Sequence, residues 1–519
     1  MPNESTFDAI VIGSGLTGGW AAKELSEAGI RVLVLEAGPA RGLEETQNLE
    51  CWTRERRIGA ARRQPVQSRH GTYWHLNPEL FVDDLDHPYS TDTDFVWIRG
   101  RQVGGRSLMW GGVCFRFSDY EFRASERDGI GVPWPLTYRD LAPFYDKVER
   151  FLGVQGSTEG LAQLPDGRFE RAPNFTDTEL LFKKKVEAAW DDRKVIISRG
   201  IASPVQSSGQ PCRAWPCQSN LNSTLAAALR TGRASIKSDA IVAHLIVDSN
   251  TGFIKGVACI DRHRHTGFEV SARLFVLCAS TLESVRILLN SQSSQHPAGV
   301  GGSSGLLGRF LCDHMALTVG GKIPNSTTMR IFPGGGPNGI CIPRFRNLNG
   351  RHTDFARGYG VSGAMQRAEY EGSAIWYLDS VIEVLPGEHN YMQLDNSVDA
   401  WGIRTIKVQL AYSDNECKMR LDAKNSVREM ASAAGLDVPY CETTAPGRYV
   451  HELGGARMGD NPRTSVLTPF NQCWDATNLF VSDGSCFVTA GWQNPSLTMM
   501  AITVRACDFI IGELKRGNL

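Results

Sequence analysis

Two residues near the end of the chain carry the strongest chemical signal. His451 stands in HELGGARMG and Asn494 in AGWQNPSLTMM. A histidine can take or give a proton near neutral pH, because its unperturbed pKa of about 6.5 lies there. An asparagine amide does not titrate in this range, but it both donates and accepts hydrogen bonds. Such a pair suits removal of a proton from a hydroxyl that the amide orients. Taken singly, a histidine is ordinarily a packed side chain and an asparagine before Pro495 a turn residue. The pair acquires meaning only beside a cofactor site.

The first thirty-six residues describe one. The apolar run FDAIVI ends at Gly13-Ser14-Gly15-Leu16-Thr17-Gly18, a GxGxxG turn, and a helical pattern with Trp20, Ala21, Leu25 and Ala28 follows. Gly29 closes that helix, and RVLVLE reads as a second buried strand ending at Glu36. Gly13 permits the tight turn, Gly15 lets a pyrophosphate approach the backbone, and Gly18 lets the helix pack on the strand. The amides of Leu16 and Thr17, at the helix start, carry a partial positive charge toward phosphates. Glu36 is placed to accept hydrogen bonds from ribose hydroxyls. This context predicts dinucleotide binding and does not choose between FAD and NAD.

Other segments offer weaker chemistry. VWIRGRQVGGRSLMWGGVCFRF (96–117) is dense in glycine, which lets backbone approach a flat ring. Ala279, Ser280 and Thr281 place small residues where a strand meets a helix start. Gly301-Gly302-Ser303-Ser304-Gly305 matches GxSxG within a Gly/Ser loop that lacks the strand before it, so it reads as a loop. His70 and His75 lack clustered acids and are not read as a metal site; no metal is expected. His314, in CDHMAL, reads as a hydrogen-bonded structural histidine at a strand start. The thirteen cysteines cannot all pair internally. Cys212 and Cys217, in QPCRAWPCQSN, are either a redox disulfide, part of an iron–sulfur site, or ordinary loop thiols. A cluster needs more thiolates than this segment holds, which favours ordinary thiols.

These groups need a scaffold, and 519 residues allow two domains, each with its own core. Hydrophobic content of 42% and charged content of 21% are those of a globular protein. A net charge of −1 argues against a nucleic-acid partner. No apolar run reaches the roughly 18 residues that span a bilayer. The polar start MPNESTF has no basic n-region, so a cytoplasmic location is expected. Residues 51–91 read as an extended loop or lid. Residues 137–154 read as a helix, 234–248, 252–262 and 265–280 as three strands of a meander, and 281–291 as a helix. Residues 315–445 alternate in β fashion, with turns at FPGGGPNG and LPGEHN.

The resulting fold class is an α/β dinucleotide-binding, Rossmann-like domain, a parallel sheet plus a β-meander, with a second α+β substrate domain on an antiparallel sheet; that the first is an FAD-binding domain is what the resemblance given next implies. The expected boundaries are 1–40, 92–130, 205–312 and 446–519 for the first, 131–204 and 313–445 for the second, and 41–91 for the lid.

The chain resembles the glucose–methanol–choline (GMC) oxidoreductase family, which binds FAD. The resemblance runs through IGSGLTGG and the strand ending at Glu36, GRQVGGRSLMWGG, LCASTLESVRIL, and the block from HELGGARMG through NLFVSDGS to QNPSLTMMAITVRACDFI. Within the family the chain is most similar to the bacterial branch of pyranose-oxidase-like enzymes, glycoside 3-oxidases and glycoside 3-dehydrogenases. The resemblance makes His451 the catalytic histidine and Asn494 the second active-site position. It places Asp483, Gly484, Asn494, Pro495 and Ser496 against the flavin, while Ala279 and Ser280 stand where the sheet could meet the cofactor. Gly104, Gly105, Ser107, Leu108, Met109 and Trp110 match the loop along the isoalloxazine, and Val242 a position whose backbone meets the adenine part. Some members attach flavin covalently through a histidine of that loop. Met109 stands there instead, which implies non-covalent FAD. Some glycoside dehydrogenases carry an iron–sulfur cluster on a segment that aligns with Cys212 to Asn222, where only two cysteines remain.

The chemistry implied is oxidation of a secondary hydroxyl of a sugar or glycoside, at C3 by resemblance. His451 takes the hydroxyl proton, Asn494 orients the oxygen, and flavin takes the hydride. Tyr73, Trp74, Trp376 and Tyr377 are aromatics available for sugar stacking. O2 or another electron acceptor would reoxidise the flavin. Alternatives are a dehydrogenase serving a quinone or partner protein, a family enzyme for non-sugar alcohols, and a lyase with redox-silent flavin.

Overall fold

The computed structural model describes residues 7–42, 54–70, 74–75, 77–201, 219–323, 326, 339–350 and 353–519. The expected cysteine pair Cys212 and Cys217, Tyr73, and most of the FPGGGPNG turn lie outside these residues.

Five strands form a parallel sheet in the order Leu479–Val481, Leu274–Leu277, Ala9–Ile12, Val32–Leu35 and Ala234–Lys237. Their short runs AIVI, VLVL and LFVL are apolar throughout and wholly buried, as strands covered on both faces must be. The helix Leu16–Glu27 packs against Ser496–Arg516 and Thr224–Arg230. The end of the chain is thereby held against its beginning, which brings the His451/Asn494 region to the nucleotide turn.

The meander differs from the sequence expectation. Only Ala240–Val247, Ile254–Asp261 and Gly267–Ser271 form the three-stranded antiparallel sheet. The ends of the expected segments, Ala234–Lys237 and Leu274–Leu277, belong to the parallel sheet. Asp239, at φ 54°, turns the chain out of the first run. In the third, GFEVS alternates between exposed and half-buried, while LFVL is continuously buried, so the burial pattern marks the change of sheet.

A six-stranded antiparallel sheet runs in the order Tyr440–Thr443, His314–Lys322, Ser373–Glu383, Tyr359–Tyr370, Ile340–Ile342, Ile196–Ile197. One face packs on the helices Asp177–Ala189 and Asp414–Ala433. The latter is a 20-residue helix inside the stretch expected to be β. Its buried Met419, Ala423, Val427 and Met430 recur at helical spacing, and Ser413 with Glu416 forms a capping box at its start. The stretch expected to be an extended loop or lid likewise contains a helix, Arg54–Arg63. Its sequence, RERRIGAARR, has almost no apolar stripe to reveal it.

A four-stranded sheet, Arg404–Gln409, Tyr391–Val398, Arg309–Cys312, Leu453–Gly455, joins the halves. Within it Cys312 lies opposite Leu453 in an antiparallel pair. Continuing that register by two residues sets His314 facing His451.

Candidate active site

One continuous cavity opens along the carboxyl ends of the parallel strands and is closed by the antiparallel sheet. It runs from Glu36, Ala37 and Val242 to His451 and Asn494, with Tyr377 and Asp379 on the far wall.

The glycine-rich turn forms one side. Gly13 has φ 97°, and a Cβ there would meet the Cys278 carbonyl at 2.4 Å. A Cβ on Gly18 would collide with the Gly13 carbonyl, so these two glycines fit turn to strand and helix to turn. At Gly15 a Cβ would meet no protein atom within 4 Å, since that space is the cavity itself. Leu16–Glu27 has no side-chain cap and no acid in its first turn, so its amides face the cavity unneutralised. The helices Thr281–Asn290 and Ser496–Arg516 also begin at the cavity and lack side-chain caps.

Glu36 has a use the sequence reading did not foresee. Its carboxylate accepts from the Ser14 amide at 3.1 Å, the Ser14 hydroxyl at 2.6 Å and the Gly38 amide at 2.9 Å. Burial pushes its pKa up, against these bonds. Ser14 Oγ also accepts from the Gly104 amide at 3.0 Å, and Ser107 Oγ donates to the Gly104 carbonyl at 2.6 Å. Turn, second strand and the 104–109 loop are therefore one hydrogen-bonded unit. Asp483 fixes the opposite wall, accepting from Ser284 Oγ at 2.5 Å and from the Ser485 amide at 2.9 Å.

His451 sits between two partners. Its Nδ1 is 2.8 Å from Nδ1 of His314, and its Nε2 is 3.4 Å from Nδ2 of Asn494. The other nitrogen of His314, Nε2, is 2.8 Å from the Gly491 carbonyl oxygen. A carbonyl only accepts, so His314 Nε2 carries hydrogen and neutral His314 accepts at Nδ1. His451 must then donate from Nδ1, which leaves its Nε2 as the lone-pair nitrogen facing Asn494. Burial holds His314 down to about 4. Burial, then His314 and Arg106, hold His451 well below its ordinary value. Both rings are thus neutral at neutral pH. Tyr449 packs edge-on against His451, with ring centres 4.9 Å apart.

The backbone before His451 is strained. Val450 has φ 61°, an uncommon conformation for a β-branched residue. Arg106 restrains it, donating to the Val450 carbonyl at 3.1 Å, Glu452 Oε2 at 3.0 Å and Ser280 Oγ at 3.2 Å. Ser280 is itself at φ 81°. Strained residues of this kind persist where surrounding contacts over-determine them, commonly at active sites.

Of the residues expected to bind cofactor, Gly13, Gly15, Leu16, Thr17, Glu36, Gly105, Ser107, Met109, Trp110, Val242, Ala279, Ser280, Asp483, Gly484, Asn494, Pro495 and Ser496 line the cavity. Three do not line it. Gly18 packs under the turn, Gly104 stands behind it at φ 93°, and Leu108 is buried in a cluster with Trp74, Leu80 and Met109. Trp74 and Trp376 are core residues rather than stacking platforms, while Tyr377 lines the cavity.

The sequence reading missed Arg106, His70 and Asp379 as cavity residues and took His314 only as a structural histidine. His314 is hydrogen-bonded at a strand start, as expected, but its bond is to His451. The CDHM segment carried no spacing to His451 that could have shown this; the pairing of Cys312 with Leu453 makes it.

Residues 198–316 and 386–503 each match a model described as GMC oxidoreductase. The chain is 27% identical to 2-methyl-1,2-propanediol dehydrogenase of Mycolicibacterium austroafricanum, over 97% of this chain and 95% of that one. It is 23% identical to C-glycoside 3-oxidase of Arthrobacter globiformis, over 99% and 97%. A solved structure of Aspergillus oryzae formate oxidase superposes with a TM-score of 0.66 at 15% identity, covering 99% of this chain and 100% of that one.

Proposed function

Because the chain belongs to the GMC oxidoreductase family, we propose that it oxidises a secondary hydroxyl of a sugar or glycoside, at C3, using non-covalently held FAD. An FAD-dependent oxidoreductase acting on CH–OH is the family's activity. The observation that carries the assignment of roles is the unprotonated Nε2 of His451 beside Asn494, fixed by His314.

The cavity fits the cofactor. Open space over Gly15 and the uncapped start of Leu16–Glu27 suit the pyrophosphate. Glu36 and Val242 stand at one end for the adenosine part, and His451, Asn494 and the start of Ser496–Arg516 at the other for the ring system. Met109, in the loop where other members present a histidine, carries a thioether that does not make that covalent link. When bound, FAD supplies the acceptor for the hydride and its two electrons.

The remaining work belongs to the protein. Asn494 donates to the substrate hydroxyl oxygen and holds its proton toward His451. His451 Nε2 accepts that proton, and the positive charge is then shared with His314 through the Nδ1–H bond. The helix starts stabilise negative charge in the cavity.

Anaerobic mixing of the holoenzyme with free sugars and with O- and C-glycosides tests the substrate class. Bleaching of the flavin by a glycoside, with a 3-keto product, is expected; bleaching by no carbohydrate would end this reading. A second reading, oxidation of a small diol with a non-oxygen acceptor, draws on the similarity to the propanediol dehydrogenase. Bleaching by small diols alone, and dye reduction without oxygen uptake, would favour it.

A further inference from the structure

The far wall of the cavity holds a carboxylate that the chemistry above does not use. Asp379 lies on Ser373–Glu383, whose residues alternate between two surroundings. Trp376 and Leu378 are buried in the core cluster with Met419 and Val427. Tyr377 and Asp379 line the cavity shared with His451 and Asn494. The strand register sets Asp379 opposite Thr318 on one side and Ser362 on the other. Thr318 Oγ1 donates to Asp379 Oδ1 at 2.5 Å. Ser362 and Ser198 line the cavity as well.

Among the described residues Asp379 forms no ion pair. Burial pushes it up to about 6, with only the Thr318 hydroxyl opposing the rise. A half-buried carboxylate without a counter-ion is costly unless its acceptor positions are filled. One hydroxyl occupies one of roughly four such positions. The remainder open on a cavity whose other polar groups at this wall are hydroxyls. Its neighbours along the strand, Leu378 and Ser380, offer it no counter-charge.

We propose that Asp379 anchors the substrate away from the reacting carbon, accepting hydrogen bonds from a donor group on it, either adjacent hydroxyls of a polyol or an ammonium. This rests on the carbohydrate reading above and adds to it a specificity-determining contact on the antiparallel sheet.

The test uses holoenzyme and the variants Asp379→Asn and Asp379→Leu, with anaerobic flavin reduction by methyl β-glucopyranoside, its monodeoxy analogues and glucosamine. The Leu variant should raise the half-saturating concentration about 10- to 100-fold, as expected for a hydrogen bond to a charged group, with the limiting rate changed far less. A deoxy analogue lacking the recognised hydroxyl should bind weakly to the parent enzyme and lose nothing further in the variant. A loss confined to glucosamine identifies an ammonium as the donor instead. An unchanged half-saturation with every substrate, glucosamine included, or the same loss with every deoxy analogue, overturns the assignment while leaving the carbohydrate reading intact. A parent enzyme that no carbohydrate reduces overturns both. Flavin absorbance and the thermal midpoint report folding. Should the Leu variant fail to fold, the Asn variant still accepts from Thr318 and must show the same change in the same direction.

Discussion

His314 Nδ1 lies 2.8 Å from His451 Nδ1, and the only arrangement of hydrogens that satisfies both rings and the Gly491 carbonyl leaves His451 Nε2 bare. A histidine presumed structural thereby determines which nitrogen of the proposed base faces Asn494.

His314→Leu should retain FAD and lose about 10- to 100-fold in the rate of anaerobic flavin reduction, because His451 is then free to adopt the other tautomer and the Gly491 carbonyl is left unpaired. His314→Gln, with an acceptor and a donor on one side chain, should recover part of that loss. Stopped-flow reduction of both variants checks this, and a Leu variant as fast as the parent would refute the tautomer argument.

The pH profile follows from the same contacts. His451 must be neutral to accept a proton, and burial, His314 and Arg106 hold it well below 6.5. A depressed pKa keeps the base active as pH falls through 6.5, so the reduction rate should stay level there and decline only at more acidic pH. An acid limb centred above 6.5 in the pH dependence of kcat/KM is incompatible with this environment.

Glu36 holds the turn, besides its proposed role toward the cofactor. Glu36→Ala removes three hydrogen bonds to Ser14 and Gly38. At about 0.5–1.5 kcal/mol for each bond, FAD affinity should fall at least about 10-fold. Titration of the apoprotein with FAD, followed by fluorescence, measures it. An unchanged Kd would mean that the turn holds its shape without this carboxylate.

The flavin should leave the protein on denaturation. Acid precipitation should give a colourless pellet and a yellow supernatant, because the resemblance puts Met109 where some family members carry the linking histidine. A pellet that keeps its colour would contradict the assignment.

Much of this was legible in the residues, and the parts that were not have physical causes. AIVI, GxGxxG and VLVLE are local signals, since a buried strand, a tight turn and a strand end each follow from neighbouring residues, and they locate one wall of the cavity. LFVL was read as the end of one meander strand, 265–280, although the shift from alternating GFEVS to continuously apolar LFVL marks the change of sheet. The helix Asp414–Ala433 was legible in Met419, Ala423, Val427 and Met430 and was passed over among surrounding β-like segments. The His314–His451 contact spans 137 residues and depends on strand register. Asp379 is one acid in an alternating strand, and only the fold shows that its side of the strand faces the cavity.

The central claim is that His451 is the base. The most direct measurement is anaerobic reduction of His451→Ala holoenzyme by the best carbohydrate substrate. The account predicts normal FAD content and a reduction rate lower by about 10²–10⁴-fold or more, the usual contribution of a general base. A variant that binds FAD and is reduced at near the parental rate would contradict it.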